Sequence, residues 1–277
     1  MKNVIIRSIS GAVYVALIVV AIVAGRFGIA ALTAVFALLA GIEYQQLVAS
    51  KGGRQAITSV INAVDVSVLL LIQAVAFTAA QFYLEIFTGC ILALAIIVIA
   101  RFVLALYDKR PAAFAETGRS ILGYIYIGLP LGALNILGVF SDSFWFILAM
   151  FVMIWLNDTG AFCVGSLFGR RKLFERLSPK KSWEGFWGGM SFCALAGVLF
   201  YYLAPGTLGL AAWIGLGVTV SVLSTWGDLF ESMMKRSLGV KDSGKLIPGH
   251  GGILDRIDSL LFVAPATVIF LLLFHML

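Results

Sequence analysis

Residues 83–106 read YLEIFTGCILALAIIVIARFVLAL. Between Glu85 and Arg101 the run carries no charge, and a helix needs about 20 mostly apolar residues to cross the hydrocarbon core of a bilayer. Stretches of the same kind recur at 9–25, 27–49, 57–81, 120–140, 143–164, 185–204, 207–228 and 259–277. The sequence therefore predicts an all-α polytopic membrane protein of about nine transmembrane helices. Composition agrees: 61% of the 277 residues are hydrophobic and 12% charged, more apolar surface than a water-soluble domain of this size buries.

Charge placement predicts the topology, because Lys and Arg concentrate on the cytoplasmic side. With the amino terminus inside, 19 of the 20 basic residues fall at or near cytoplasmic ends, Arg26 in the first short turn being the exception. The carboxyl terminus is then outside. Lys2 and Arg7 ahead of an apolar run also resemble a signal peptide, but the run is long for one and the next span follows at once, so it is read as span 1. The net charge of +6 lies in loops that flank spans, where it serves topology; no nucleic-acid polymer is expected as a partner. Cys90, Cys163 and Cys193 lie within spans without CxxC spacing, and no disulfide or metal is assigned to them. His275, at the exposed tail, is incidental.

The polar residues divide the chain. Residues 1–115 hold spans 1–4, with Glu43, Asp65 and Glu85 isolated among apolar helices. Glu43 and Asp65 either face a cavity, since charge at membrane depth is costly and usually functional, or lie near span ends where water reaches them. A polar stretch at 108–119 is the candidate hinge, and no internal repeat is visible. Residues 116–277 hold spans 5–9 and two basic, glycine-containing cytoplasmic loops at 165–184 and 229–258, where chemistry is expected.

Three constellations carry it. In WLNDTGAF, 155–162, Asn157 and Asp158 interrupt a span. Asp158 either faces a partner, water or an ion, or forms a packing pair beside Gly160 and Ala161. In GRRKLFERLSPKKSWEG, 169–185, Ser178-Pro179 can open a turn or short helix whose N–H groups, with Lys180 and Lys181, suit a phosphate; topology alone also explains the charge. Trp183 has the position of an interfacial anchor.

In GDLFESMMKRSLGVKDSGKLIPGHGGILDRID, 227–258, Asp228 ends an apolar run, and Glu231 and Lys235 have ion-pair spacing. Pro248, Gly249, Gly251 and Gly252 exclude a helix and let backbone N–H groups approach a phosphate closely. A helix restarting near Ile253 puts Asp255 and Asp258 on one face and Arg256 on another. Those carboxylates either cap a helix start or, with Asp228, hold Mg²⁺, which takes one or two carboxylates and completes its shell with water and substrate phosphates. His250 stands between glycines, where it contacts a phosphate, moves a proton or caps the loop.

The run SMMKRSLGVKDSGKLIPGHGGILDRID, 232–258, resembles the signature of the phosphatidate cytidylyltransferases, the CDP-diacylglycerol synthases; NDTGAF at 157–162 and SPKKSWEG at 178–185 resemble that family's other motifs. The resemblance covers about the carboxyl-terminal half. It implies that CTP and phosphatidate react to give CDP-diacylglycerol and pyrophosphate, with Mg²⁺ required and room for a monovalent cation such as K⁺ beside it. It further implies a homodimer. The lack of a transit or retention signal points to the cell inner membrane rather than an organellar one, and the charge placement turns the site to the cytoplasm. Asp228, Asp255 and Asp258 fall on the family's metal positions. The active-site surface takes in Ser178, Lys180, Lys181, Lys235, Arg236, Lys241 and Asp242, joined by Asn157, Asp158, His250, Gly251 and Gly252 from the reading of the residues. The competing readings are an ion-coupled secondary transporter and another CTP-dependent lipid or prenol kinase or transferase. The DGxxAR pattern of CDP-alcohol phosphotransferases is not found.

Overall fold

The computed structural model describes residues 2–48, 56–81, 83–108, 111–244, 246 and 251–275. It is helical, and the helices follow the apolar runs: α1 (Lys2–Val23), α2 (Gly25–Val48), α3 (Ala56–Ala80), α4 (Leu84–Tyr107), α5 (Ala113–Gly123), α6 (Leu129–Leu137), α7 (Ser143–Phe168), α8 (Trp183–Leu203), α9 (Leu210–Ser237) and α10 (Leu254–His275). A π-helical turn, Tyr124–Gly128, joins α5 to α6, so 113–137 forms one span. Among the described residues eight helices are long and apolar enough to cross a membrane. The first expected span is α1, whose apolar part, Ile9–Val23, is shorter.

Two boundaries differ from expectation. Helix α9 continues to Ser237 instead of stopping where the apolar run ends, because 229–237 contains neither Gly nor Pro and Glu231 supports Lys235 one turn on. The turn or short helix expected at Ser178-Pro179 is a strand, β2 (Ser178–Ser182), antiparallel to β1 (Lys172–Phe174). Hairpin pairing with Ser182↔Lys172 and Ser178↔Phe174 commits this backbone to a ladder, and helix begins only at Trp183, after the Ser182 N-cap.

Two compact units are present: residues 1–139 with 242–254, and residues 140–241 with 255–277. In the first, α4 has the most apolar span of all, yet Arg101 is its one buried residue among those described. A helix apolar all round suits lipid contact. Arg101 Nε donates to Asp65 Oδ1 of α3 at 2.8 Å, and Ser120, Tyr124 and Gln45 also donate to Asp65. Asp65 is 0% and Arg101 3% exposed.

In the second unit, glycines set the helix spacing. A Cβ on Gly188 of α8 would strike Val164 of α7, and Gly197 of α8 and Gly217 of α9 meet the facing backbone at Trp213 and Cys193. Interhelical approach in lipid depends on such small residues, since tails are as apolar as side chains. Trp213 fills the core between Phe146 and Phe200.

Candidate functional site

Close packing in the second unit places its polar residues. Asn157 of α7 is buried, accepts a 2.7 Å hydrogen bond from Ser221 of α9, and leaves no room for a side chain at 189, where a Cβ would lie 2.5 Å from its Oδ1. It ties α7, α8 and α9 together. The neighbouring Asp158, about 100° round the helix, is exposed and lines a cavity of about 600 Å³.

The hairpin forms another wall. Glu184 accepts from the backbone N–H groups of Arg170 (3.0 Å) and Arg171 (3.2 Å), while Ser182 Oγ accepts from Gly185 N at 3.1 Å. The hairpin base is thereby fastened to the start of α8. Ser178, Lys180 and Lys181 line the cavity from β2, and Asp228 lines it from α9. Lys181 Nζ stands 2.6 Å from Asp228 Oδ2, with 27% and 36% of the two side chains exposed.

Asp258 of α10 comes close through Gly227, where a Cβ would lie 2.6 Å from the Asp258 carbonyl oxygen. Its Oδ1 accepts from Ser259 N, and its carboxylate lies within the range of the charges of Asp228 and Asp158. Three carboxylates from three helices thus share one field beside Lys181.

Asp255 has a different setting. Lys235 Nζ lies 2.6 Å from both Asp255 Oδ1 and Glu231 Oε2, and Lys235 is buried. The resemblance placed Lys235 on the active-site surface and Asp255 at a metal position; in the structure the two engage each other. Glu231 is 1% exposed, and its second oxygen has no hydrogen-bond partner among the described residues. Arg236 and Lys241 are exposed, Arg236 donating to the Val240 carbonyl; Asp242 is exposed as well. His250 lies outside the described residues.

In the first unit, Gly251 has φ of +84°, a conformation that favours glycine. Gly252 is buried against the Glu43 carboxylate, whose Oε2 accepts from Ile253 N at 2.7 Å. Glu85 is exposed, whereas Glu43 and Asp65 are both buried and hydrogen-bonded to protein. Their partners are remote in sequence, and only their cost at membrane depth signalled them.

Among the described residues no three Asp, Glu, His or Cys side chains form a ready metal cage. Mg²⁺ does not require one: it is held by one or two carboxylates and keeps water or substrate phosphates for the rest. Asp228 and Asp258, with Asp158 beside them, supply hard oxygen donors, and the ammonium on Asp228 shows that this carboxylate attracts a cation.

The model of the cytidylyltransferase family matches residues 5–274. The chain belongs to that family. It is accordingly a nucleotidyltransferase that uses CTP, as the motif resemblance implied. A protein of Staphylococcus haemolyticus named phosphatidate cytidylyltransferase is 38% identical over 167 residues, 60% of this chain and 63% of the relative. Proteins of the same name from Staphylococcus aureus (strain COL) and Staphylococcus saprophyticus are each 39% identical, over 66% and 60% of this chain and 68% and 63% of the relatives.

Proposed function

We propose that the chain transfers CMP from CTP to phosphatidate, giving CDP-diacylglycerol and pyrophosphate. The observation that carries this reading is the gathering of Asp158, Asp228, Lys180 and Lys181 around one cavity, with Lys181 paired to Asp228 and Asp258 close to both aspartates. The names of the relatives indicate the acceptor lipid.

In the proposed reaction a phosphatidate oxygen forms a bond to the α-phosphorus of CTP, and the bond from that phosphorus to the bridging oxygen of the β-phosphate breaks. The electron pair leaves with pyrophosphate. The attacking oxygen is already anionic near neutral pH, so no strong general base is needed. The main demand is in-line alignment and charge compensation. Lys181 leaves Asp228 for a phosphate oxygen, with Lys180 next to it on β2. Asp228 and Asp258, helped by Asp158, would hold Mg²⁺. That ion, when bound, supplies positive charge against the phosphate oxygens. Asp255 would act by fixing Lys235 and the start of α10. A monovalent cation such as K⁺ and the homodimer are proposed on the motif resemblance alone; the inner-membrane location and the cytoplasmic orientation of the site are proposed on the sequence signals and the placement of Lys and Arg.

Detergent-purified protein is tested with labelled CTP, phosphatidate and Mg²⁺, against mixtures lacking each. A lipid-soluble product that needs all three is expected. Product with another lipid or prenol acceptor, and none with phosphatidate, would overturn the assignment.

A further inference from the structure

We propose that Glu43 is a positioning residue, a carboxylate on α2 that clamps both ends of the 242–254 segment. It rests on the reading above, in which this segment and the helix that follows serve the transfer reaction.

The geometry is specific. Glu43 lies inside an apolar span and is 5% exposed. Its Oε1 accepts from Ser243 Oγ, and its Oε2 accepts from Ile253 N at 2.7 Å. Each oxygen therefore holds one end of the segment, 200 and 210 residues away in sequence. Gly244 and Gly252 pack on the same carboxylate; a Cβ on Gly244 would lie 2.7 Å from Glu43 Cδ, and one on Gly252 would overlap Oε1. Ile253 immediately precedes α10, so Glu43 satisfies an N–H at a helix start and adds negative charge at the positive end of its dipole. The first two turns of α10 carry Asp255 and Asp258.

A carboxylate this buried is expensive unless fully used, and both of its oxygens are used on one loop. Holding residues 243 and 253 on one carboxylate fixes the approach to α10 before substrate arrives. The clamp therefore acts on turnover, through the geometry of the α10 start, more than on the capture of CTP.

Glu43→Leu keeps the volume and removes both acceptors. Glu43→Gln keeps one acceptor for Ile253 N and offers an amide N–H to Ser243 Oγ. In detergent, E43L is expected to lower kcat by at least ~10-fold with the KM for CTP within ~2-fold of wild type. Tryptic cleavage after Lys241, an exposed residue, should speed up by ~5-fold or more. E43Q should restore most of both. Wild-type kcat in E43L, a loss confined to KM, or cleavage no faster than wild type would each overturn the proposal. Should E43L fail to fold by gel filtration, Ser243→Ala cuts one of the two ties from the loop side. It should speed cleavage to a smaller extent, and unchanged cleavage there overturns the clamp. If wild type makes no product from phosphatidate, the parent reading fails, while unchanged cleavage still overturns the clamp independently.

Discussion

Two ion pairs separate the roles of charge in this chain. Asp65–Arg101 is sealed: both side chains are buried, and Ser120, Tyr124 and Gln45 complete the carboxylate's partners. Lys181–Asp228 has the same contact chemistry, yet both partners stay partly exposed on the wall of a cavity. A sealed pair has no capacity left for a ligand. The open pair can exchange its partner for a phosphate or a cation with little rearrangement, because neither charge must first be brought out of a low-dielectric interior.

The contrast breaks most visibly at the sealed pair. Arg101→Leu strands Asp65 without its cation, and truncating one partner of a buried pair costs about 3–5 kcal/mol. Thermal unfolding in detergent should show it as a large fall in Tm, with turnover per folded molecule retained. Asp65→Leu combined with Arg101→Leu should recover much of the loss, since an apolar replacement of both partners is often neutral. Asp228→Asn should do the reverse. Turnover should drop at least ~100-fold, as removal of even outer partners of a metal costs 10–100-fold, while Tm moves little. A Tm loss as large as that of R101L would place both pairs in the structural class.

Lys181→Ala sharpens the open side of the comparison. Losing one charge-assisted bond of about 1.5 kcal/mol should raise the KM for CTP about tenfold, with a weaker effect on stability. Unchanged kinetics would make the hairpin lysine a topology signal only. The smallest effect is expected at Arg236, which is exposed and donates to Val240 at the end of α9. Arg236→Ala should change stability by under about 0.5 kcal/mol, read from the same unfolding curves; a larger kinetic effect would bring it into the phosphate-binding set.

Legibility in the sequence follows from the range of each interaction. Span positions were readable because hydrocarbon selects on local composition, and the helices lie where the apolar runs do. The i,i+4 pair of Glu231 and Lys235 was readable for the same reason, as its spacing is local. The second partner of Lys235 was not, since Asp255 lies 20 residues on and reaches it through helix packing. Asp158, left between a ligand and a packing role, turned out to border the cavity, while Asn157 beside it took the packing role. Pro179 suggested a helix opening, but the pairing of 178–182 with 172–174 overrode that local preference.

By itself the sequence determined a membrane-spanning helical chain, its family, and the segments that hold the polar chemistry, because hydropathy, charge bias and motif spacing are properties of short windows. Tertiary structure alone decided which charges are spent on one another. Glu43 and Ser243, Asp65 and Arg101, and Lys181 and Asp228 are far apart along the chain, and only the packing of the elements that carry them brings each carboxylate within a hydrogen-bond length of its partner.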